Sequence, residues 1–340
     1  MRASIEKWLL RQWYTTHRPS WFLRVLEHVY RVAYRHVQNR GSSGPSRYRS
    51  GVPLIVVGNI TVGGSGKTPL VIRLCQLALD MNFRPGIAST GYGRQSADTL
   101  MVNAGSDIRN CGDEPVLLAE RTGVPVVVAK RRCDAVKKLN GLELDLIFSD
   151  DGLQQADMDR DMEICVIDGA RGLGNGHLLP AGPLREPVQR LRQVDYVITN
   201  GAWAGKPDEV EVSVMELEAG VVCSLDNAMV TSVEEFRQNH AGNPVHAFAG
   251  IGHPQRFFNM LEALGVKTKP HDFPDHHKFT RRDFDSINEG STIVMTEKDA
   301  VKCRSLDLEN AWYIPVNTHL PADFEAVFKD HLTRIVRESK

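Results

Sequence analysis

From Val52 onward, short runs of apolar and β-branched residues recur at Leu54–Val57, Gly86–Ser89, Val124–Ala129, Leu144–Phe148, Glu163–Ile167 and Tyr196–Thr199. Stretches with helical spacing, such as Leu70–Asp80 and Glu114–Glu120, fall between many of them. Continuous apolar runs of this length read as strands buried on both faces, and their alternation with helices predicts a mostly parallel sheet with helices on both sides. The pattern restarts after Gly201 with Glu211–Val214, Val245–Ala249, Thr292–Met295 and Trp312–Val316, which predicts a second, smaller α/β unit. The glycine and proline between Asn200 and Pro207 place the division so that 51–203 forms one unit and 204–340 the other.

The first fifty residues are different in kind. Residues 5–14 and 20–38 have helical patterning, and in the second stretch Phe22, Leu26, Val29, Ala33 and Val37 form an apolar stripe with the arginines largely off it. Gly41-Ser42-Ser43-Gly44-Pro45 then reads as a turn-rich linker. Residues 1–50 hold ten Arg and Lys against only Glu6 and Glu27, and three of the chain's five tryptophans, although the whole protein has a formal net charge of −1. Two readings follow. A basic amphipathic helix with Trp and Tyr lies in a lipid headgroup layer, or the same helices cap the protein's own core.

Composition narrows the classes. At 340 residues with 42% hydrophobic and 24% charged residues, the chain is of ordinary globular type and long enough for two domains. The near-zero total charge argues against a nucleic-acid coat protein, and no obligate protein partner is evident. No uninterrupted apolar stretch reaches the ~20 residues that span a bilayer, and the N-terminus is a poor signal peptide. The six cysteines, at 75, 111, 133, 165, 223 and 303, stand singly, which suits reduced thiols in the cytosol.

The chemistry begins at Asn59-Ile60-Thr61-Val62-Gly63-Gly64-Ser65-Gly66-Lys67-Thr68-Pro69, directly after one apolar run and directly before a helical stretch. This is the context of a phosphate-binding loop: glycines let successive amides converge on phosphate oxygens, Lys67 adds a point charge and Thr68 can meet Mg²⁺. Thr61 stands where the usual pattern has its first glycine. A loop of this kind needs a metal-side carboxylate on a neighbouring strand end, and Asp150-Asp151 supply two. In Gly112-Asp113-Glu114-Pro115 a carboxylate stands at a helix start, either for chemistry or as a cap. Asp272-Phe273-Pro274-Asp275-His276-His277 offers an acid/base histidine, a metal site or a surface loop, although adjacent side chains do not easily share one ion. The proline-rich Leu179–Pro187 presents Arg185 and Glu186 from a rigid loop.

Together with Gly91-Tyr92-Gly93-Arg94, Asp150-Asp151-Gly152-Leu153-Gln154, Gly250-Ile251-Gly252-His253-Pro254 with Phe257-Phe258, and Thr296-Glu297-Lys298-Asp299-Ala300-Val301-Lys302, these segments resemble the tetraacyldisaccharide 4'-kinase family, the lipid A 4'-kinases of Gram-negative bacteria, over nearly the whole chain. Thr61 agrees with that family's own variant of the loop. The resemblance implies a P-loop NTPase-type sheet with a smaller second α/β domain and N-terminal amphipathic helices. It also implies an ATP- and Mg²⁺-dependent kinase acting on the 4' hydroxyl of an acylated glucosamine disaccharide, peripheral to the cytoplasmic face of the inner membrane.

On that basis residues 61–68 hold ATP, and Mg²⁺ lies near Thr68, Asp150 or Asp151, and Glu186. Lys67 and Arg185 stabilise the transferring group, and Asp113 is the base with His276 as its partner, brought together by closure of the two units. Asn59, Tyr92, Arg132, Gln154, Gln155 and Arg185 are candidates for substrate contacts. Gln155 departs from the family's motif, which usually continues with His. The competing readings are a P-loop GTPase or metallochaperone, disfavoured because Thr296-Glu297-Lys298-Asp299 misplaces the lysine of a guanine reader, and a membrane-associated nucleotide switch, for which Asp113 and His276 would have no purpose.

Overall fold

The computed structural model describes residues 2–14, 18–43, 47–288 and 290–339. Its strands, in chain order, are β1 (Leu54–Gly58), β2 (Pro85–Ser89), β3 (Leu100–Val102), β4 (Val126–Val128), β5 (Leu146–Asp150), β6 (Met162–Asp168), β7 (Tyr196–Asn200), β8 (Ser213–Ala219), β9 (Val221–Ser224), β10 (Val230–Ser232), β11 (Val245–Ala249), β12 (Thr268–Asp272), β13 (Ile293–Thr296), β14 (Ala311–Ile314) and β15 (Val316–His319). The α-helices are α1 (Arg2–Tyr14), α2 (Trp21–Ser43), α3 (Lys67–Asp80), α4 (Ile108–Cys111), α5 (Asp113–Thr122), α6 (Arg132–Leu139), α7 (Val233–Asn239), α8 (Pro254–Ala263), α9 (Glu297–Cys303) and α10 (Ala322–Glu338).

Among the described residues the strands form two sheets. The larger has the order β15-β8-β7-β6-β1-β5-β2-β4-β3, parallel except where β3 and β15 pair antiparallel at its two edges. Its central strands are buried on both faces, as their unbroken apolar text requires. Leu70, Leu74 and Leu77 of α3, Leu118 of α5 and Phe328 and Leu332 of α10 pack with Ile55, Phe148 and Ile164 on one side. Val136 and Leu139 of α6, with Leu178, Leu184 and Leu191, pack with Val56, Ile147 and Cys165 on the other. The smaller sheet, β10-β9-β14-β13-β11-β12, has its own two apolar layers. All six cysteines are free and buried.

The sheets do not divide the chain at 203/204. β8, β15 and α10 belong to the larger body, so the second unit is residues 221–314 inserted between two strands of the first. Two neighbouring crossings join the bodies. Gly220 separates β8 from β9, and Pro315 separates β14 from β15. Proline donates no ladder hydrogen bond, which splits the run Trp312–Val316 between the two sheets. The strands the apolar pattern does not mark, β3, β9, β10 and β12, are short or largely polar.

At the N-terminus α2 runs through Gly41 to Ser43 where a turn was expected; one glycine costs only about 1 kcal/mol relative to Ala, too little to stop a helix. Gly44 and Pro45 of that linker lie outside the described residues. The predicted stripe faces away from the body: Phe22, Leu26, Val29 and Val37 are 44%, 48%, 61% and 57% exposed, and Trp21 is 79% exposed. The side facing the protein carries Leu23, Glu27, Tyr30 and Tyr34 instead. Thus the stripe does not cap the core.

Because α10 closes the sheet that carries the phosphate-loop strand, Phe328→Ala should destabilise the larger body by about 3–5 kcal/mol. The adjacent exposed Val327→Ala should stay within about 0.5 kcal/mol. Denaturant unfolding of both variants checks the contrast.

Candidate active site

β1 delivers the chain into the glycine loop, and α3 begins at Lys67. Gly66 caps that helix at φ +95, and a Cβ there would stand 2.5 Å from Asn200 Nδ2, so only glycine turns the corner. Asn59 is fully buried and donates through Nδ2 to Gly63 O (3.3 Å) and Ser65 Oγ (3.3 Å). With no exposed surface, it shapes the loop from beneath. Thr61 forms a bridge with Leu184, Val62 N donates to Pro183 O (2.9 Å), and Arg185 N donates to Ile60 O (2.7 Å). The proline-rich segment is therefore a strap laid along the loop.

β5 lies parallel to β1 with Asp150 beside Val57, which brings the acidic pair to the loop. The two carboxyls are driven apart. Burial, Glu114 and Asp151 push Asp150 up to about 7, and its Oδ1 is buried without a hydrogen-bond partner. Burial also opposes ionisation of Asp151, but Lys67, Arg185 and Arg132 outweigh it and hold that carboxyl well below the usual range. Asp151 sits at φ 55, with Lys67 Nζ 3.4 Å from Oδ1 and Arg185 Nη1 3.2 Å from Oδ2. Arg132 is buried beneath the pair and donates from Nε to Asp150 O (2.8 Å).

Glu186 is placed otherwise than expected. It is 0% exposed; Oε1 accepts from Gln154 Nε2 (2.6 Å), and Oε2 accepts from Tyr34 Oη (3.1 Å) and pairs with Arg190 Nε (3.3 Å). A carboxylate whose oxygens are both engaged is not a free metal ligand. Gln154 is likewise committed, donating also to Asn59 O (2.8 Å), while its Oε1 accepts from Arg185 (3.3 Å). Gln155, at the departure from the family motif, keeps Oε1 buried without a partner.

The second cluster joins the two bodies. His276, at φ 57 in the second unit, has Nδ1 3.2 Å from each oxygen of Asp113 at the start of α5. Burial opposes the charge on both, yet the contact wins: the histidine titrates above its ordinary value, and Asp113 falls well below the carboxylate range, helped by Lys298 and Lys302. Tyr92 lies against the His276 ring, centroids 4.8 Å apart. His277 turns the other way, to Asp283 (3.3 Å) between Phe273 and Phe279.

Lys298 has no assigned role in the sequence reading, yet it pairs with Glu114 (2.8 Å) and Asp275 (3.4 Å). Glu114 in turn acts on Asp150, so one run of charges links the acidic pair to the Asp113–His276 pair. Another contact between the bodies is Gly252, where a Cβ would stand 2.3 Å from Gly64 N. Arg171 donates to Gly252 O (2.8 Å), and Asp168 holds His253 (3.0 Å) and Arg256 (3.2 Å). No group of three or more His, Cys, Asp or Glu able to hold a metal occurs among the described residues. Of the acidic pair, Asp150 keeps Oδ1 without a hydrogen-bond partner, whereas both oxygens of Asp151 are engaged by Lys67 and Arg185.

Comparison with known proteins gives a consistent result. A family model described as Tetraacyldisaccharide-1-P 4'-kinase matches residues 19–333. A Tetraacyldisaccharide 4'-kinase of Methylobacillus flagellatus is 42% identical, covering 99% of each chain, and one of Aeromonas hydrophila is 45% identical, covering 92% of each. A crystal structure of LpxK from Aquifex aeolicus in complex with ATP superposes with a TM-score of 0.73 at 29% identity, over 92% of this chain and 97% of that one.

The Asp113–His276 pair fixes a pH window. His276, raised above its ordinary 6.5, contributes stability that is complete below that value and lost as pH climbs through the folded-state value. Asp113, depressed from 3.8, contributes stability present above 3.8 and lost as pH falls toward its folded-state value. The difference in thermal midpoint between the protein and His276→Gln should therefore be largest between pH 4 and 6.5 and shrink on the alkaline side.

Proposed function

The chain belongs to the tetraacyldisaccharide 4'-kinase family and is a phosphotransferase with an alcohol acceptor, and from that premise we propose how its residues carry out the transfer. ATP binds with its phosphates on the amides of residues 61–66 and on Lys67 and Thr68. The 4' hydroxyl of the acylated disaccharide approaches from the cleft where Asp113 and His276 meet. Attack of that oxygen on the γ-phosphorus forms the new P–O bond as the bond to the β-phosphate oxygen breaks, and ADP leaves.

Charge neutralisation and positioning dominate such a transfer. Lys67 and Arg185, paired with Asp151 before the nucleotide binds, are placed to donate hydrogen bonds to the transferring phosphoryl oxygens. Asp113 orients the hydroxyl and takes its proton; because its carboxyl is held low, the proton moves late, as the oxygen becomes acidic on bonding to phosphorus. His276 and Lys298 keep Asp113 ionised and aimed. The orphaned Asp150 Oδ1, with Thr68, fits Mg²⁺, which would neutralise charge on the β and γ phosphates when bound, and Asp151 would join them once Lys67 and Arg185 turn to the phosphates. Tyr92, Arg132 and Gln155 remain proposed substrate contacts, Tyr92 through its place beside His276.

The observation that carries this reading is the Asp113–His276 contact made across two bodies beside a phosphate loop. The GTPase and nucleotide-switch readings give no reason for it. The outward apolar stripe of α2 and the basic N-terminus support a peripheral position at an anionic membrane surface, the cytoplasmic face of the inner membrane, where the substrate's acyl chains remain in the bilayer. No helix among the described residues is long and apolar enough to cross a membrane.

Transfer of ³²P from [γ-³²P]ATP to the tetraacyl disaccharide 1-phosphate in mixed micelles tests the site. Asp113→Ala and His276→Ala should each lower kcat, Asp113→Ala by about 10²–10⁴-fold, with ATP binding retained, whereas Lys67→Ala should abolish transfer. Full kcat in both Asp113 and His276 variants refutes the assignment. For the membrane face, Leu26→Ser with Val29→Ser should weaken sedimentation with phosphatidylglycerol vesicles at least about tenfold, since each side chain forfeits roughly 1.5–3 kcal/mol of burial.

A further inference from the structure

The side of α2 that faces the protein is less apolar than the side that faces away. Glu27, Tyr30 and Tyr34 follow at intervals of three and four residues and so share one face. Tyr30 and Tyr34 end on the strap, and Glu27 on the two residues just before it. Glu27 accepts from His177 Nδ1 (2.8 Å) and Leu178 N (3.3 Å), Tyr30 Oη donates to Arg185 O (2.9 Å), and Tyr34 Oη donates to Glu186 Oε2 (3.1 Å). From α1, Trp13 Nε1 donates to Pro180 O (2.9 Å). Burial, reinforced by Glu186, keeps the Tyr34 hydroxyl protonated and therefore a donor.

The other edge of the same strap holds the phosphate loop through Val62 N to Pro183 O and Arg185 N to Ile60 O. A continuous polar path results. Tyr34 holds Glu186, Glu186 holds Gln154, Gln154 holds Arg185, and Arg185 holds Asp151 beside Lys67. Glu186 has no exposed surface, so a lost partner at Oε2 is not replaced by bulk water, and the carboxylate must turn toward Arg190 and drag Gln154 with it.

We infer that Tyr30 and Tyr34 are positioning residues for the phosphoryl transfer: through Arg185 and Glu186, the N-terminal helix sets the placement of the strap against the phosphate loop. The helix is thus part of the transfer machinery as well as the face turned to lipid. This rests on the kinase reading, and the test separates the two.

Kinase assays on the full chain, with ATP and lipid acceptor both varied, compare wild type with Tyr34→Phe and Tyr30→Phe, each of which removes one hydroxyl and keeps the ring. Thermal melting fixes an assay temperature at which every variant is folded. Tyr34→Phe should lower kcat about tenfold and Tyr30→Phe about threefold, the scale of one lost hydrogen bond to a charged and to a neutral acceptor. KM for the lipid and sedimentation with phosphatidylglycerol vesicles should be unchanged in both. In a Glu186→Gln background, Tyr34→Phe should cause little further loss, because both changes act on one contact; a merely structural role would add a second, independent loss. Wild-type kcat in both variants, a rise confined to the lipid KM, or full additivity with Glu186→Gln overturns the inference while leaving the kinase reading intact. Absence of transfer by the wild type refutes the kinase reading itself.

Discussion

Two carboxyl groups on consecutive residues at the end of a buried strand cannot both ionise unless cations are brought to them. That requirement organises the site. Asp151 is ionised because Lys67 comes from the first turn of α3, Arg185 from the strap and Arg132 from the first turn of α6. Asp150, farther from compensation and beside Glu114, holds its proton up to about pH 7. Three elements distant in sequence thus converge on one pair of side chains, and the phosphate loop is fixed between them before any ligand arrives. Positive charge gathered here for structural reasons is the same charge a transferring phosphoryl group requires.

The N-terminal helix answers a second constraint, that a helix docked on the protein with an apolar outer side has two faces to satisfy. Its sequence solves this by inversion. The outward face keeps Phe22, Leu26, Val29 and Val37, while the inward face directs Tyr30 and Tyr34 at a backbone and a carboxylate group of the strap and Glu27 at the Leu178 amide just before it. A helix docked mainly by dispersion would tolerate rotation about its axis; one docked by hydrogen bonds at defined positions does not. The outward apolar surface and the phosphate loop therefore share one hydrogen-bonded frame.

The parallel sheet, the loop and the strand-end aspartates were legible because each depends on local text, either apolar runs or glycine spacing, whereas the Asp113–His276 pairing, 163 residues apart, came only with the family resemblance. Other partnerships were not legible. Glu186 stands next to Arg185 in a motif that suggested metal binding, and only the folded chain reveals that Gln154 takes one of its oxygens while Tyr34 of α2 and Arg190 take the other. Lys298 lies in a quoted motif without a role, because its partners Glu114 and Asp275 come from different units. Asn59 looks like a loop residue open to ligand, but the loop folds over it. The domain boundary failed for another reason: periodicity identifies a strand without saying which sheet it joins, and one proline divides Trp312–Val316 between two.

That division bears on how the protein is made. The larger sheet needs β15 at its edge and α10 across its face, and both follow the whole inserted unit in the sequence. Arg73 of α3 is paired with Glu325 of α10 (2.5 Å), across most of the chain's length. A nascent chain therefore presents the outward apolar face of α2 long before the larger sheet can close. A chain cut short before α10 lacks the helix that covers Ile55, Phe148 and Ile164, and so leaves uncovered the sheet that carries the phosphate loop.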